Sequence, residues 1–216
     1  VTPTVYYCYD AYCGWCYGFS PVIRRIHEEY FDRLAFEVLS GGMIPRASAR
    51  PITAIAEFIR NHYTRVEELT GIRFGEDFLW HVRQPELSDW YPHSEKAAVA
   101  LCILKEYQPE RCIEFACALQ QALYQEGRDL TDDEAYRHLL LTYGIPEAAF
   151  YDKLSAATYQ QRAEEEFSLI AQWGISGFPA VLLQTEERRF RLLANGYMEE
   201  HTLKARIEEG LAYTER

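Results

Sequence analysis

The sequence predicts an α/β fold: a βαβ half at the N-terminus and a ββα half at the C-terminus, flanking a long block of helices. Three observations lead there. A β-branched and aromatic run opens the chain and gives way to helical spacing. No convincing strand pattern occurs between residues 51 and about 171. Two short apolar runs then return, joined by a polar turn and followed by an amphipathic stretch.

Residues 4–9, TVYYCY, read as a buried strand, because branched and aromatic side chains suit a pleated, packed surface. From Gly14 to about Tyr30, Phe19, Val22, Ile23, Ile26 and Tyr30 recur at three-and-four spacing, which predicts a helix. Pro21 lies inside it and predicts a kink, since proline lacks an amide donor and crowds the preceding turn. A second strand is expected at 34–40, ended by Gly41-Gly42.

Pro51 suits a first helical position, and Ile52, Ile55, Ala56, Ile59, Tyr63 and Val66 form an apolar stripe behind it. Further helices are expected at about 75–83, 94–107, 110–126, 132–143 and 147–171. Thr131-x-x-Glu134 reads as a capping box for the fourth of these. The run Ala97–Leu104 is too short to span a bilayer and reads as one buried helix face. Strands at 180–184 and 189–194 enclose the turn Thr185–Arg188, and a helix over 199–213 closes the chain. The expected division is a discontinuous α/β domain, 1–45 with 172–216, and a helical insertion domain, 46–171.

Composition narrows the function. The net charge of −11 and the scattered Lys and Arg exclude a nucleic-acid partner, which needs concentrated positive charge. No run is long enough for a membrane span, so no membrane partner is expected. No leader pattern is visible, although the chain starts at Val1 and leaves removal of a segment open. Six cysteines without a secreted-type framework point to a reducing, cytoplasmic setting. Sixteen Tyr and eleven Phe either fill a core or line a surface that grips apolar partners.

The chemistry centres on Cys13-Gly14-Trp15-Cys16. A strand ending near Asp10 and a helix starting near Cys13 place this C-x-x-C at a helix N-terminus. There the unpaired amides and the helix dipole favour a thiolate. Spacing of three puts both sulfurs on one face of the first turn, with Cys13 exposed as attacker and Cys16 behind it as resolver. Gly14 and Trp15 add no charge, so the dipole and local amides do the tuning. Zinc would need a second ligand pair, and the six His are dispersed, so no metal is expected. Cys8 reads as a small buried hydrophobe of the first strand, and Cys102, Cys112 and Cys117 as residues of apolar helix faces. Before the late strand stands Ser176-Gly177-Phe178-Pro179-Ala180; a cis Phe178–Pro179 bond is not decided by sequence.

Together these features resemble the thioredoxin superfamily. The long helical block resembles its DsbA-like branch, and CGWCYGFSP, SGGMIP and GISGFPAVLL resemble the FrnE-type group of disulfide oxidoreductases or isomerases. The resemblance implies a thioredoxin-like fold, Cys13 as nucleophile and Cys16 as resolving thiol. It also implies Pro179 as a cis-proline against the disulfide and Phe178 as a holder of extended substrate. Gly14-Trp15 departs from the Pro-His of DsbA itself, which argues against strong oxidant behaviour. Asp10 relays a proton, caps the helix, or is a solvated turn residue. His93-Ser94 opens a helix that could face the site, with Ser94 expected as a simple N-cap.

The expected activity is thiol–disulfide exchange, or disulfide isomerisation, on protein or peptide disulfides, with glutathione a further partner and no cofactor. Two rivals stand beside it. One is a glutathione-dependent transferase or isomerase resembling the kappa class and the 2-hydroxychromene-2-carboxylate isomerases, which carry Ser where Cys13 stands. The other is a non-catalytic binding module.

Overall fold

The computed structural model describes residues 2–187 and 189–212. Strand β1 (Thr4–Tyr9) lies at the centre of a four-stranded sheet. It pairs in parallel with β2 (Ala35–Ser40) and antiparallel with β3 (Ala180–Glu186), which pairs antiparallel with β4 (Arg189–Asn195). The order β2-β1-β3-β4 brings Cys8 opposite Ala180 and joins the two ends of the chain.

Helix α1 (Gly14–Tyr30) crosses from β1 to β2, as the apolar spacing predicts, and buries Phe19, Val22, Ile23 and Ile26. It runs unbroken through Pro21. The carbonyl of Tyr17, which an amide at position 21 would have served, accepts instead from the Ser20 hydroxyl at 2.7 Å. Between β2 and β3 come α2 (Thr53–Thr70), α3 (Glu76–Arg83), α4 (Ser94–Tyr107), α5 (Cys112–Tyr124), α6 (Arg137–Tyr143), α7 (Glu147–Leu154) and α8 (Ala157–Gln172). Helix α9 (Glu200–Ala212) follows β4 and packs on α1 and the β3–β4 ribbon.

Three local expectations need correction. The helix expected over 132–143 has no Thr131 capping box: a 3₁₀ turn, Asp133–Tyr136, leads into α6 and is capped by the Asp132 carboxylate on the Glu134 amide. The Thr131 hydroxyl is held by Asp129 at 2.8 Å and is not free to cap. The expected helix over 147–171 is two helices, because the chain leaves helical hydrogen bonding at Ser155-Ala156 and α8 starts anew. And α4 has no single buried face; all of Ala97–Leu104 is buried, because the helix is enclosed by α5, α7 and α8.

The outer edge of β2 would expose unpaired backbone groups, and the helical block covers it. Lys105 Nζ donates to the carbonyl of Val38 at 2.6 Å, the Cys112 thiol to that of Phe36 at 3.4 Å, and Glu166 accepts from the Ser40 amide at 2.8 Å. Lys105 also bridges Glu37 and Glu166, each at 2.7 Å, and these carboxylates drive its pKa up. None of the helices described is long and apolar enough to cross a membrane.

Candidate active site

Cys13 is itself the N-cap of α1. Its backbone is extended (φ −89°, ψ 107°), and its Sγ accepts from the Cys16 amide at 3.1 Å, serving one donor that the helix leaves unpaired. Its thiol donates to the carbonyl of Phe178 at 3.5 Å. The sulfur is thus set between the first turn of α1 and the loop before β3, 165 residues away in sequence. The Phe178–Pro179 peptide bond is cis. The Phe178 ring lies over Gly41, where an added Cβ would come within 2.0 Å of ring carbon, so only glycine allows the ring this seat.

Cys13 is not exposed as a nucleophile was expected to be. It is 5% exposed, and with Trp15, Phe74 and Phe178 it lines a cavity of about 380 Å³. Cys16 is fully buried; desolvation and the Cys13 sulfur beside it push its thiol well up. The six cysteines are free thiols, with Cys8, Cys102, Cys112 and Cys117 buried as expected.

Asp10 is neither a solvated turn residue nor the helix cap. It is 1% exposed, and its carboxylate accepts from the amides of Tyr12 (2.9 Å) and Met43 (2.8 Å) and from the Ser94 hydroxyl (2.9 Å). Burial raises its pKa, and these hydrogen bonds offset part of the rise. Ser94 is not an N-cap either. His93 occupies that position, and the Ser94 hydroxyl faces the site, where it accepts from the Ile44 amide at 2.9 Å while donating to Asp10.

One residue of the site escaped the sequence reading. Gln120, on α5 and fully buried, donates from Nε2 to the carbonyls of Asp10 (3.2 Å) and Cys13 (3.3 Å). The helical block thereby grips the turn that carries Cys13. A sequence signal did exist. Gln120 continues the stripe Ile113, Ala116, Cys117 at helical spacing, a polar side chain where an apolar one belongs.

A central parallel–antiparallel sheet, a dithiol at the start of the first helix and a cis proline facing it define a thioredoxin-like protein of the DsbA type. The chain belongs to the DSBA-like thioredoxin domain family, whose model matches residues 4–208. Among solved structures it is similar to a candidate protein disulfide isomerase from Nitrosomonas europaea, at 26% identity and TM-score 0.84 over 99% of each chain. It is also similar to the cytosolic disulfide reductase DsbM from Pseudomonas aeruginosa, at 24% identity and TM-score 0.75 over 97% of this chain and 99% of that one. That reductase in its structure with glutathione matches at 26% identity and TM-score 0.74, with the same coverage. A 2-hydroxychromene-2-carboxylate isomerase shares the fold at 13% identity. No curated protein sequence matches.

Proposed function

We propose that this protein is a thiol–disulfide oxidoreductase acting on protein or peptide disulfides through Cys13 and Cys16. The observation that carries the reading is the seat of the Cys13 sulfur, between the Cys16 amide and the Phe178 carbonyl and open to a cavity. The same amide stabilises negative charge on sulfur during attack. Attack gives a mixed disulfide. The Cys16 thiolate then attacks the Cys13 sulfur, closes the Cys13–Cys16 disulfide and releases the substrate thiol.

Cys16 must lose a proton in that second step, from a thiol whose burial disfavours the charge. Asp10, buried and next to Cys16, is the group we assign to accept it. Its raised pKa brings it nearer the thiol it serves. Phe178 and Pro179 would receive the substrate backbone beside Cys13, while Gly14 and Trp15 line the entry. In this reading residues 1–45 and 172–216 carry the dithiol, and residues 46–171 wall the substrate side. The neighbouring reductase supports a cytosolic setting, and its glutathione-bound structure supports glutathione as a further partner.

The deciding experiment equilibrates the protein with glutathione redox buffers and follows tryptophan fluorescence, with trapping of mixed disulfides by Cys16→Ser. A reversible two-electron transition is expected. A midpoint near about −270 mV marks a reductant, and one of about −120 to −180 mV an oxidant or isomerase. No transition and no adduct would remove the dithiol reading.

A further inference from the structure

A second cleft, of about 500 Å³, lies between α1 and α5 and shares no lining residue with the cavity at Cys13. Helix α1 presents Pro21, Arg24 and Glu28 to it at three-and-four spacing, and α5 presents Cys117, Gln121 and Gln125. Helices that pack on one another normally meet through apolar stripes. Here both stripes turn polar over the same stretch, and Pro21 and Ile72 remain as apolar wall.

The charges of this cleft are unpaired. Arg24 and Glu28 make no hydrogen bond or ion pair among the described residues. Glu114 is held low first by Arg111, through two bonds at 2.8 Å, and only then by the charge of Arg24. Burial pushes the Cys117 thiol up to about 12, so it offers Arg24 no thiolate. Arg25, the other guanidinium of the cleft, is taken by Glu200. Across from them, Gln125 Oε1 accepts from the Tyr17 hydroxyl at 3.2 Å, which leaves its Nε2 to donate. The Gln121 side chain makes no hydrogen bond among the described residues.

One unpaired cation, one unpaired anion and two amides match a molecule that carries both charges and a peptide group. Four helical residues set Arg24 and Glu28 about 6 Å apart along α1. The charged ends of a free amino acid are closer together than this, whereas the two residues of an extended dipeptide span about 7 Å. The ends of a long chain have no reason to meet at such a distance. A cleft of this volume has room for the dipeptide and its side chains.

We infer that this cleft binds a dipeptide as its zwitterion. The carboxylate pairs with Arg24, the ammonium with Glu28, and the peptide group meets Gln121 and Gln125. An apolar side chain lies against Pro21 and Ile72. The site is separate from the dithiol, and the inference does not rest on the exchange activity.

The test titrates the ¹⁵N-labelled full chain with glycyl-leucine and follows its amide and guanidinium signals by NMR. Free leucine, N-acetyl-glycyl-leucine and glycyl-leucinamide are the comparisons. Saturable shifts are expected at Arg24 and at the side-chain amides of Gln121 and Gln125. Each comparison molecule should bind about fivefold more weakly. Arg24→Gln should weaken glycyl-leucine about fivefold and leave glycyl-leucinamide unchanged. Glu28→Gln should do the same for the ammonium, leaving the acetylated peptide unchanged. Both positions are exposed, so neither variant disturbs the core. Arg50→Gln, at an exposed arginine outside the cleft, should have no effect. No saturable shift, or shifts centred on Trp15 at the other cavity, would overturn the inference. So would capped peptides that bind as well as glycyl-leucine, or a loss on Arg50→Gln as large as on Arg24→Gln. Dependence on Arg24 without dependence on Glu28 would make the cleft a plain anion site and overturn the dipeptide assignment.

Discussion

Gln120 Nε2 lies 3.3 Å from the carbonyl oxygen of Cys13, although the two residues are 107 positions apart. That carbonyl also accepts from the Tyr17 amide at 3.1 Å, so the Gln120 bond adds position to a group already satisfied. Gln120→Leu should therefore change stability little, by about 1 kcal/mol. The variant also removes a buried Oε1 that has no partner among the described residues. Its exchange rate with a peptide disulfide should fall about tenfold, because the turn holding Cys13 gains freedom. Urea unfolding alongside exchange kinetics separates the two effects; a rate that falls only in step with stability would reduce Gln120 to packing.

The Asp10 carboxyl titrates above its ordinary range because it is buried, so its ionised form costs stability as the pH rises through that raised pKa. The stability of Asp10→Asn relative to wild type should accordingly improve from acid to neutral pH. Mixed-disulfide resolution should show the opposite dependence in wild type, slowing as acid protonates Asp10, and the variant should lack that inflection. Stopped-flow resolution against pH checks this directly.

Gly41→Ala places a methyl carbon within 2.0 Å of the Phe178 ring. The ring must move, and with it the loop whose carbonyl receives the Cys13 thiol. A loss of about 1–3 kcal/mol is expected from overpacking. Exchange should slow as well, read by thermal unfolding and by rates at a temperature where both proteins are folded.

Lys105→Met should destabilise by about 3 kcal/mol, since it leaves the half-buried Glu166 without its cation and the Val38 carbonyl without its donor. Adding Glu166→Gln should recover part of that loss. Chemical denaturation of the single and double variants measures it. Equal stabilities would show the cluster to be neutral.

Glu106 joins α4 to α7 and α8 through Lys153 (2.7 Å), Arg162 (2.5 Å) and Tyr159 (2.8 Å), which hold its pKa at about 2. A depressed carboxylate contributes stability above its unfolded pKa, and the contribution disappears as acid carries the pH from about 4.5 toward 2. The group is partly exposed, so the effect stays below about 1 kcal/mol. Glu106→Gln should flatten the acid-unfolding curve in that window, with little change at pH 7.

What the sequence made legible was what short-range periodicity encodes. The run at 4–9 and the stripe from Phe19 to Tyr30 gave β1 and α1 at their observed limits, because each pattern is strong and ends at a clear break. The pair Cys13 and Cys16 was legible from spacing alone, and Pro179 from the family resemblance. Ser94 was misjudged, Gln120 missed and Asp10 left between alternatives because their meaning lies in partners 84 and 110 residues away. Composition around Asp10 is that of a solvated turn; only the arrival of the Met43 loop and the start of α4 encloses it. Ser155-Ala156 interrupts a helix without glycine or proline, so no local breaker announces α8.

The sealing of β2 bears on what company this protein can keep. A catalyst of disulfide exchange on unfolded chains works among strands that are searching for an edge to join. With Val38, Phe36 and Ser40 already answered by Lys105, Cys112 and Glu166, that side offers such chains no ladder to extend. In the proposed reading, a chain held at the Cys13 sulfur finds no strand edge to join on the β2 side of the sheet.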